Sequence, residues 1–338
     1  MDRRYLEDLW GLFRKKYPGI YRFKEIDTKI IRMEKKPDFP VIGIGDGDIT
    51  AYQGHSQRAA WIYKPWKDDG RWYAGFDYKG IAFKGNRIRR LGHTAWGGAY
   101  KERSLIEHRL SKRAFDGGVF CERPIAVYDY GRFNGKPLAV VVRAFTSPLR
   151  LSDVMLDDGC RVAYLGIRGE TEREYCDSIS AIVGENVRKL LDLGIYHGSM
   201  GMGNITSEGE IADFGPARDT AQEGVKETRD PFYRYTAILR VLKGGKNVFP
   251  RYEKKYNQNF ADSFFGKRIE LRTSNPAKEI AERYCSTKID TGRVIGKKPD
   301  ADIKKTIKLI KIVRKDAKTA IERKAYAQIL KALANPNE

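Results

Sequence analysis

Residues 197–204 read HGSMGMGN, and residues 211–215 read IADFG. A helical pattern over 171–193 precedes them, and the glycine-rich stretch that joins them is typical of turns and short strands. Asn204 and Asp213 stand 213 − 204 = 9 residues apart, across what we interpret as a hairpin. An amide oxygen and a carboxylate are hard ligands of the kind that Mg²⁺ prefers, with phosphates completing its shell. The stretch therefore predicts a magnesium site; the alternative is a glycine-rich hairpin with an incidental Asn and Asp.

The order of these residues resembles the catalytic loop and DFG segment of protein kinases. A kinase-like fold also needs a strand lysine that holds phosphates and a helix glutamate that positions the lysine. Lys84 ends an apolar strand pattern, and Glu107 lies in a helical pattern that spans about residues 100–115. Either residue alone would be read as a solvated surface charge. Together with the downstream stretch, they predict an ion pair in a nucleotide site.

The rest of the chain fits a two-lobed α+β protein with a cleft. Its 338 residues are 41% hydrophobic, which is enough for a large core and excludes wholesale disorder. Residues 1–35 look helical, 40–140 contain mostly short strands, and 171–193 and 230–243 are helical again. We predict a strand-rich N-lobe over 1–145, a helical C-lobe over 146–295, and a basic helical tail over 296–338 that packs on the C-lobe.

Several segments between about residues 50 and 220 are similar, in the same order, to motifs of the selenoprotein O family. They are AYQGHSQ (51–57), DDGR (68–71), FKG (83–85), GV (118–119), RAFTSPLR (143–150), HGSM (197–200) and DFGP (213–216). That family has a kinase-like fold and transfers AMP from ATP to protein hydroxyl groups. The resemblance implies an adenylyltransferase that uses ATP and Mg²⁺ or Mn²⁺ and acts on a protein substrate.

The resemblance also implies roles for particular residues. In the family the nucleotide binds in a flipped orientation, with its γ-phosphate buried beneath a lysine and two arginines. The implied phosphate ligands are Lys84, Arg143 and Arg150, the implied metal ligands are Asn204 and Asp213, and the implied nucleotide contacts include Gly70, Arg71 and Gly97. Glu107 would orient Lys84.

The chain departs from the family at the expected general base. The family's aspartate position is occupied by Gly203, and the kinase base position is occupied by Ser199. Neither side chain accepts a proton well near neutral pH, although general-base help is worth only about 10²–10⁴-fold. Two alternatives to adenylyl transfer therefore stay open: a catalytically impaired, pseudokinase-like scaffold that binds nucleotide or nucleic acid, and a conventional γ-phosphate kinase.

The net charge is strongly positive, because 64 Lys and Arg residues face 44 Asp and Glu residues, giving +20. Seven of these excess charges lie in residues 297–338. A solvated helix face, a nucleic-acid or other polyanion surface, and a membrane-surface helix are the alternatives for this tail. The sequence has no apolar run long enough for a membrane span, and we expect a cytoplasmic protein.

Overall fold

The structure is a computed structural model that describes residues 2–18, 20–23, 30–33, 49–53, 59–80, 89–91, 94–96, 99–133, 135–219 and 231–285. Lys84, Gly97 and the basic tail over 296–338 lie outside the described residues. The predictions made for them stay predictions.

The described chain combines one main antiparallel sheet with helices, as the α+β prediction requires. Its strands are β1 (Ile20–Phe23), β2 (Ile30–Met33), β3 (Ile49–Gln53), β4 (Ala59–Asp68), β5 (Arg71–Lys79), β6 (Arg89–Leu91), β7 (Thr94–Trp96), β8 (Ala99–Tyr100), β9 (Arg123–Phe133), β10 (Lys136–Phe145), β11 (Ile195–Tyr196) and β12 (Arg218–Asp219). Its helices are α1 (Arg3–Lys16), α2 (Lys101–Asp116), α3 (Leu151–Met155), α4 (Asp158–Arg168), α5 (Glu172–Asp192), α6 (Pro231–Val248), α7 (Glu253–Phe265) and α8 (Pro276–Cys285).

The N-terminal segment differs from the expectation of a helix over residues 1–35. Helix α1 ends at Lys16, and strands β1 and β2 follow. Pro18 explains the end of the helix, because proline has no backbone N–H and disfavours the helical conformation of the residue before it. Tyr17 accordingly leaves the helical region, with φ −123° and ψ 77°. The predicted apolar face of α1 is correct, since Leu6, Leu9, Trp10 and Phe13 are buried.

The main sheet has the strand order β1-β3-β4-β5-β10-β9-β2, and β8 also pairs with β10. Strands β1 and β2 therefore lie at opposite edges although six residues join them. A flat path of this many strands would be about 29 Å wide at a spacing of about 4.8 Å. The connection can span at most about 25 Å. The sheet must therefore curve strongly.

Alternation along the central strands separates apolar from charged side chains. Phe76 and Tyr78 of β5 belong to the apolar cluster on one face of the sheet. Because successive side chains of a strand point to opposite faces, Asp77 and Lys79 face the other way. Arg143 of β10 lies opposite Asp77 in the strand register and shares its face. The strand pattern alone thus collects charged groups on the face against which α2 packs.

The second half of the described chain is mainly helical, and its long helices are close to prediction. Helix α5 matches the helix expected over 171–193, and α6 covers the one expected over 230–243. A Cβ atom at Gly184 of α5 would lie 2.3 Å from the Phe260 carbonyl oxygen, so glycine permits the close approach of α7. Among the described helices, none combines the length and the apolar character needed to cross a membrane.

Candidate functional site

A buried ion pair joins the end of β5 to the middle of α2. The Lys79 Nζ atom donates to Glu107 Oε1 at 2.7 Å and to Oε2 at 2.9 Å. It also donates to Asp213 Oδ1. Burial by itself would lower the pKa of Lys79, but Asp213 and Glu107 outweigh it and raise that pKa. The lysine is therefore a charged group fixed between two carboxylates.

The sequence pointed to Lys84 as the partner of Glu107, whereas the partner found among the described residues is Lys79. The overlooked signal is the alternation in Phe76-Asp77-Tyr78-Lys79, where charged residues occupy every second position of an otherwise apolar strand. Such a pattern indicates a strand with one apolar face and one charged face. Glu107, which was predicted to lie in a helix and to orient a lysine, is in α2 and is 2% exposed.

Arg143 lies inside a cage of three carboxylates. Its Nε and Nη2 atoms donate to Asp77 Oδ2 at 2.9 and 2.7 Å. Its Nη1 atom donates to Glu107 at 3.1 Å and to Glu122 at 2.9 Å. The side chain is only 4% exposed. The role of Arg143 as a phosphate ligand stays a prediction, and in this structure its hydrogen bonds go to carboxylates.

The predicted hairpin between Asn204 and Asp213 is present. Ile205 and Ile211 form an antiparallel bridge, and the Ala212 N–H donates to the Asn204 carbonyl at 2.8 Å. These bonds bring Asn204 beside the residue that precedes Asp213. The Asn204 Nδ2 atom donates to the Ser199 carbonyl at 2.7 Å, so Oδ1 is the side-chain atom that can bind a cation.

Asp213 has an unusual backbone conformation and a strongly perturbed carboxyl group. Its φ of +65° lies in the left-handed region, and its N–H donates to Glu122 Oε2 at 2.9 Å. Burial alone would raise the pKa of its carboxyl. The Lys79 ammonium and the Arg143 guanidinium outweigh burial and hold the pKa well below its usual range. Asp213 is therefore ionised at any pH near neutrality.

The cluster carries more negative than positive charge. Among the described residues, four carboxylates contact Lys79 or Arg143, and the charge of Arg150 also acts on two of them, Asp77 and Glu122. The four belong to Asp77, Glu107, Glu122 and Asp213. Burial raises the pKa of Glu122 to about 7, so one carboxyl of this cluster takes up a proton readily. An excess of buried negative charge beside an amide oxygen suits a divalent cation.

A cation here would need ligands beyond the protein. Within the described ranges, no group of three or more His, Cys, Asp or Glu side chains is arranged to hold a metal ion. Asp213 and Asn204 supply two oxygen atoms of the type that Mg²⁺ prefers. Magnesium bound by one or two carboxylates takes its remaining ligands from water and substrate phosphates. The donor set therefore fits Mg²⁺ delivered with a nucleotide better than a metal held by the protein alone.

Gly215 and His197 support the cluster from two sides. A Cβ at Gly215 would lie 3.0 Å from Lys79 Nζ and 3.1 Å from both Asp213 Oδ1 and Glu107 Oε2. Glycine leaves room there for the charged groups. The buried His197 ring donates from Nε2 to the Ala212 carbonyl at 2.9 Å. Burial lowers the pKa of His197 to about 4, so the imidazole is neutral and structural near pH 7.

Gly70 and Arg71 lie apart from the Lys79 ion pair in the described structure, whereas Arg150 is close enough for the charges of Arg143, Asp77 and Glu122 to act on it. Gly70 forms the tight turn between β4 and β5, and Arg71 begins β5, at the opposite end from Lys79. The Arg71 guanidinium packs over the Phe120 ring at 4.7 Å. Arg150 is buried over the Phe145 ring at 4.9 Å. Its Nη1 atom has no hydrogen-bond partner among the residues that the structure covers.

Burial, and after it the nearby Arg143 charge, lower the pKa of Arg150. The Nη1 atom of Arg150 is buried with no hydrogen-bond acceptor among the described residues, which is costly, so this atom would gain from an anion. The contact of Arg150 with a phosphate stays a prediction, and the unsatisfied Nη1 atom supports it.

Comparisons with known proteins leave the function open. No family model matches the chain, and no curated protein matches it. Among solved structures, one similar chain is WaaP in complex with acyl carrier protein, at 15% sequence identity. The similarity covers 70% of this chain and 87% of that chain, with a TM-score of 0.37. A likeness this distant carries no argument about substrate or activity, so the functional case rests on the site itself.

Proposed function

We propose that the protein is an ATP- and Mg²⁺-dependent transferase with a protein-kinase-like fold. The observation that carries this proposal is the buried Lys79–Glu107 ion pair beside Asp213. In protein kinases a strand lysine pairs with a helix glutamate to hold the phosphates, and the DFG aspartate holds Mg²⁺. Here the strand, the helix and the Asp-Phe-Gly segment meet at one point.

Each residue of the site has a defined task in this proposal. Lys79 binds nucleotide phosphates as a point charge, and Glu107 fixes its position. Asp213 and Asn204 hold Mg²⁺ (Mn²⁺ fits the same ligands). When bound, the metal offsets the negative charge of the phosphates and of the transferred group. The chain's own residues orient the phosphates, and positioning supplies most of the catalysis in phosphoryl transfer.

The chain order supports a two-lobed interpretation. Helix α2 lies between β5 and β9 in sequence, as the glutamate helix follows the lysine strand in kinases. The helical part of the described chain follows the last strand of the main sheet. We therefore keep the proposed division into an N-lobe over 1–145 and a C-lobe over 146–295.

The two candidate reactions differ in which phosphate is attacked. Adenylyl transfer to a protein hydroxyl follows from the resemblance to the selenoprotein O family, and it needs arginines available to the buried phosphates. The contacts of Arg143 favour transfer of the γ-phosphate instead. Its guanidinium already donates to Asp77, Glu107 and Glu122, so these donors are not available to a buried phosphate. Of the two, the geometry supports γ-phosphate transfer better.

The chain lacks a general base in the expected loop, and this leaves a third candidate function. It is a scaffold that binds nucleotide or nucleic acid without turnover. Residues 197–204 contain no carboxylate, and Ser199 accepts a bond from Asn204. An acceptor hydroxyl would have to lose its proton without help from this loop. Turnover is then expected to be slow by about 10²–10⁴-fold relative to an enzyme with the base.

Incubation with ATP labelled at either the α- or the γ-phosphate, together with protein acceptors, tests the proposal. We expect label from the γ-phosphate in the product, and none from Lys79→Met or Asp213→Asn. The matched control is Lys246→Met, because that lysine is 61% exposed on α6. Retained α-label instead would establish adenylyl transfer. Absence of both turnover and a Mg·ATP thermal shift, with salt-dependent nucleic-acid binding, would favour the scaffold.

A further inference from the structure

We propose that Glu122 is a positioning residue that sets the backbone of Asp213, and with it the metal-binding carboxylate. This inference rests on the proposed function, because it assumes that Asp213 holds a metal with the nucleotide. Glu122 belongs to none of the motifs in the sequence. It follows the turn after α2 and precedes β9, and its side chain is fully buried.

One carboxylate oxygen of Glu122 connects two parts of the cluster. Its Oε2 atom accepts from Arg143 Nη1 at 2.9 Å and from the Asp213 backbone N–H at 2.9 Å. The first bond ties it to the strand that carries Arg143. The second reaches the segment that carries the predicted metal ligand. Glu122 therefore relates the position of Asp213 to the sheet directly.

Backbone hydrogen bonds between residues 120–122 and residues 211–213 also bring Glu122 to the Asp213 N–H. The Ile211 N–H donates to the Phe120 carbonyl at 3.0 Å, and the Glu122 N–H donates to the Ile211 carbonyl at 2.9 Å. The two segments thus run side by side as a short parallel pair. The Ala212 N–H donates to Asn204 on the other side, so the next backbone donor towards the first segment is that of Asp213. The Glu122 side chain accepts from it and so extends the pairing to that residue.

The Asp213 conformation gives this bond its importance. Of the residues that the structure describes, Asp69 and Asp213 are the two non-glycine residues in the left-handed region. Asp69 occupies a hairpin turn beside Gly70, where this conformation is common. Asp213 lies in a buried segment, where the conformation costs free energy and persists only if its surroundings fix it. The bond to Glu122 holds it while the carboxylate is aimed at Lys79.

The test distinguishes the effect of the hydrogen-bond acceptor of Glu122 from the effect of a buried side chain at this position. Glu122→Gln keeps an oxygen that can accept the Asp213 N–H, whereas Glu122→Leu removes it. The matched controls are Glu210→Gln and Glu210→Leu. Glu210 is equally buried, but its carboxylate accepts from the Thr146 N–H at 2.8 Å. Titration calorimetry on the full chain would measure ADP affinity with Mn²⁺ and in the presence of EDTA.

We expect Glu122→Leu to bind Mn·ADP about 10- to 100-fold more weakly, as the loss of a charge-assisted hydrogen bond implies. Glu122→Gln should stay within about threefold of the wild type, given the retained acceptor. Metal-free ADP affinity should change little in either variant. If Glu122 only supported folding, its replacement by leucine would weaken ADP binding equally with and without Mn²⁺. Glu122→Gln would then not restore the Mn²⁺-dependent binding selectively.

Two results would overturn the inference and leave the proposed function intact. One is a folded Glu122→Leu variant that binds Mn·ADP as tightly as the wild type. The other is a Glu210→Leu variant that loses as much Mn·ADP affinity as Glu122→Leu does. A wild-type chain that binds no Mn·ADP would overturn the proposed function and the inference with it. A second measurement needs no variant. In the wild-type chain labelled with ¹⁵N-aspartate, the Asp213 amide should exchange slowly with solvent. An Asp213 amide that exchanges as fast as those of exposed aspartates would contradict the proposal.

Discussion

Replacing Lys79 with methionine should remove activity and destabilise the protein in a pH-dependent way. Methionine keeps an apolar side chain of similar length and removes the ammonium. Glu107 and Asp213, whose side chains are 3% and 24% exposed, then lose their shared counter-ion. Removing one partner of a buried ion pair costs about 3–5 kcal/mol. We expect the lower end, about 3 kcal/mol, because Arg143 still neutralises part of the cluster.

The expected change in melting temperature follows from the size of the protein. An unfolding entropy of about 2.1 cal/mol/K per residue gives about 0.7 kcal/mol/K for 338 residues, so a loss of about 3 kcal/mol should lower the melting temperature of Lys79→Met by about 4 °C at pH 7. Differential scanning calorimetry would measure it. Lys84→Met is the informative control, since Lys84 is the lysine that the motif resemblance selects. It should leave both the melting temperature and the nucleotide affinity close to wild type.

The pH dependence gives the sharper criterion. In the wild type the pKa of Asp213 is depressed, so its contribution to stability is present above the unfolded-state pKa and is lost as pH falls. In the variant, Arg143 and His197 still oppose burial but Lys79 no longer does, so we expect the pKa of Asp213 to lie above its wild-type value and its ionised form to be less stabilised. The gap in melting temperature should therefore be widest near pH 7 and narrow towards pH 4. A gap that is absent at pH 7, or a larger loss in Lys84→Met, would refute this account of the site.

Three further predictions concern neighbouring groups. Asp213→Asn should abolish metal-dependent ATP binding in calorimetry while shifting the melting temperature by less than about 2 °C, because an amide oxygen can still accept from Lys79; wild-type metal affinity would contradict the assignment. Gly215→Ala should weaken Mg·ATP binding and cost about 1–3 kcal/mol, because the new methyl group crowds the ion pair. Its control is Gly201→Ala, where a Cβ would meet nothing within 4 Å, and equal effects in the two variants would argue against crowding. His197 should make stability rise with pH between about 4 and 6.5, because its folded pKa is the lower one. His197→Asn should remove about 3 kcal/mol of this dependence in denaturant titrations at pH 4.5 and 7, and an unchanged slope would show that the imidazole is already charged.

The parts of the site that sequence reasoning found are those made by neighbours along the chain. Asn204 and Asp213 lie on one hairpin of nine residues' separation, so spacing and the glycine-rich turn were enough to bring them together. Glu107 was selected because a kinase-like fold requires a glutamate in the helix after the lysine strand, and the structure places it in α2. The helices over 101–116 and 172–192 were predicted because their apolar residues recur at helical spacing.

The parts that were missed depend on contacts between distant segments. Lys79 was missed because its place beside Glu107 depends on strand register across the sheet rather than on local pattern, whereas Lys84 lies outside the described residues. Glu122 carries no motif, because its role comes from a pairing with residues about 90 positions later. The sequence also could not show that the Arg143 guanidinium donates its hydrogen bonds to three carboxylates, because tertiary packing determines the burial and the partners of this side chain.

Local order along the chain thus determined that this protein combines strands with helices and places an amide and a carboxylate on a shared hairpin. It also determined the excess of positive charge, which is a matter of composition. Only the tertiary structure decided which lysine meets Glu107 and which carboxylate fixes Asp213. The physical reason is that these partners lie far apart along the chain and meet only when the sheet, α2 and the hairpin pack against one another.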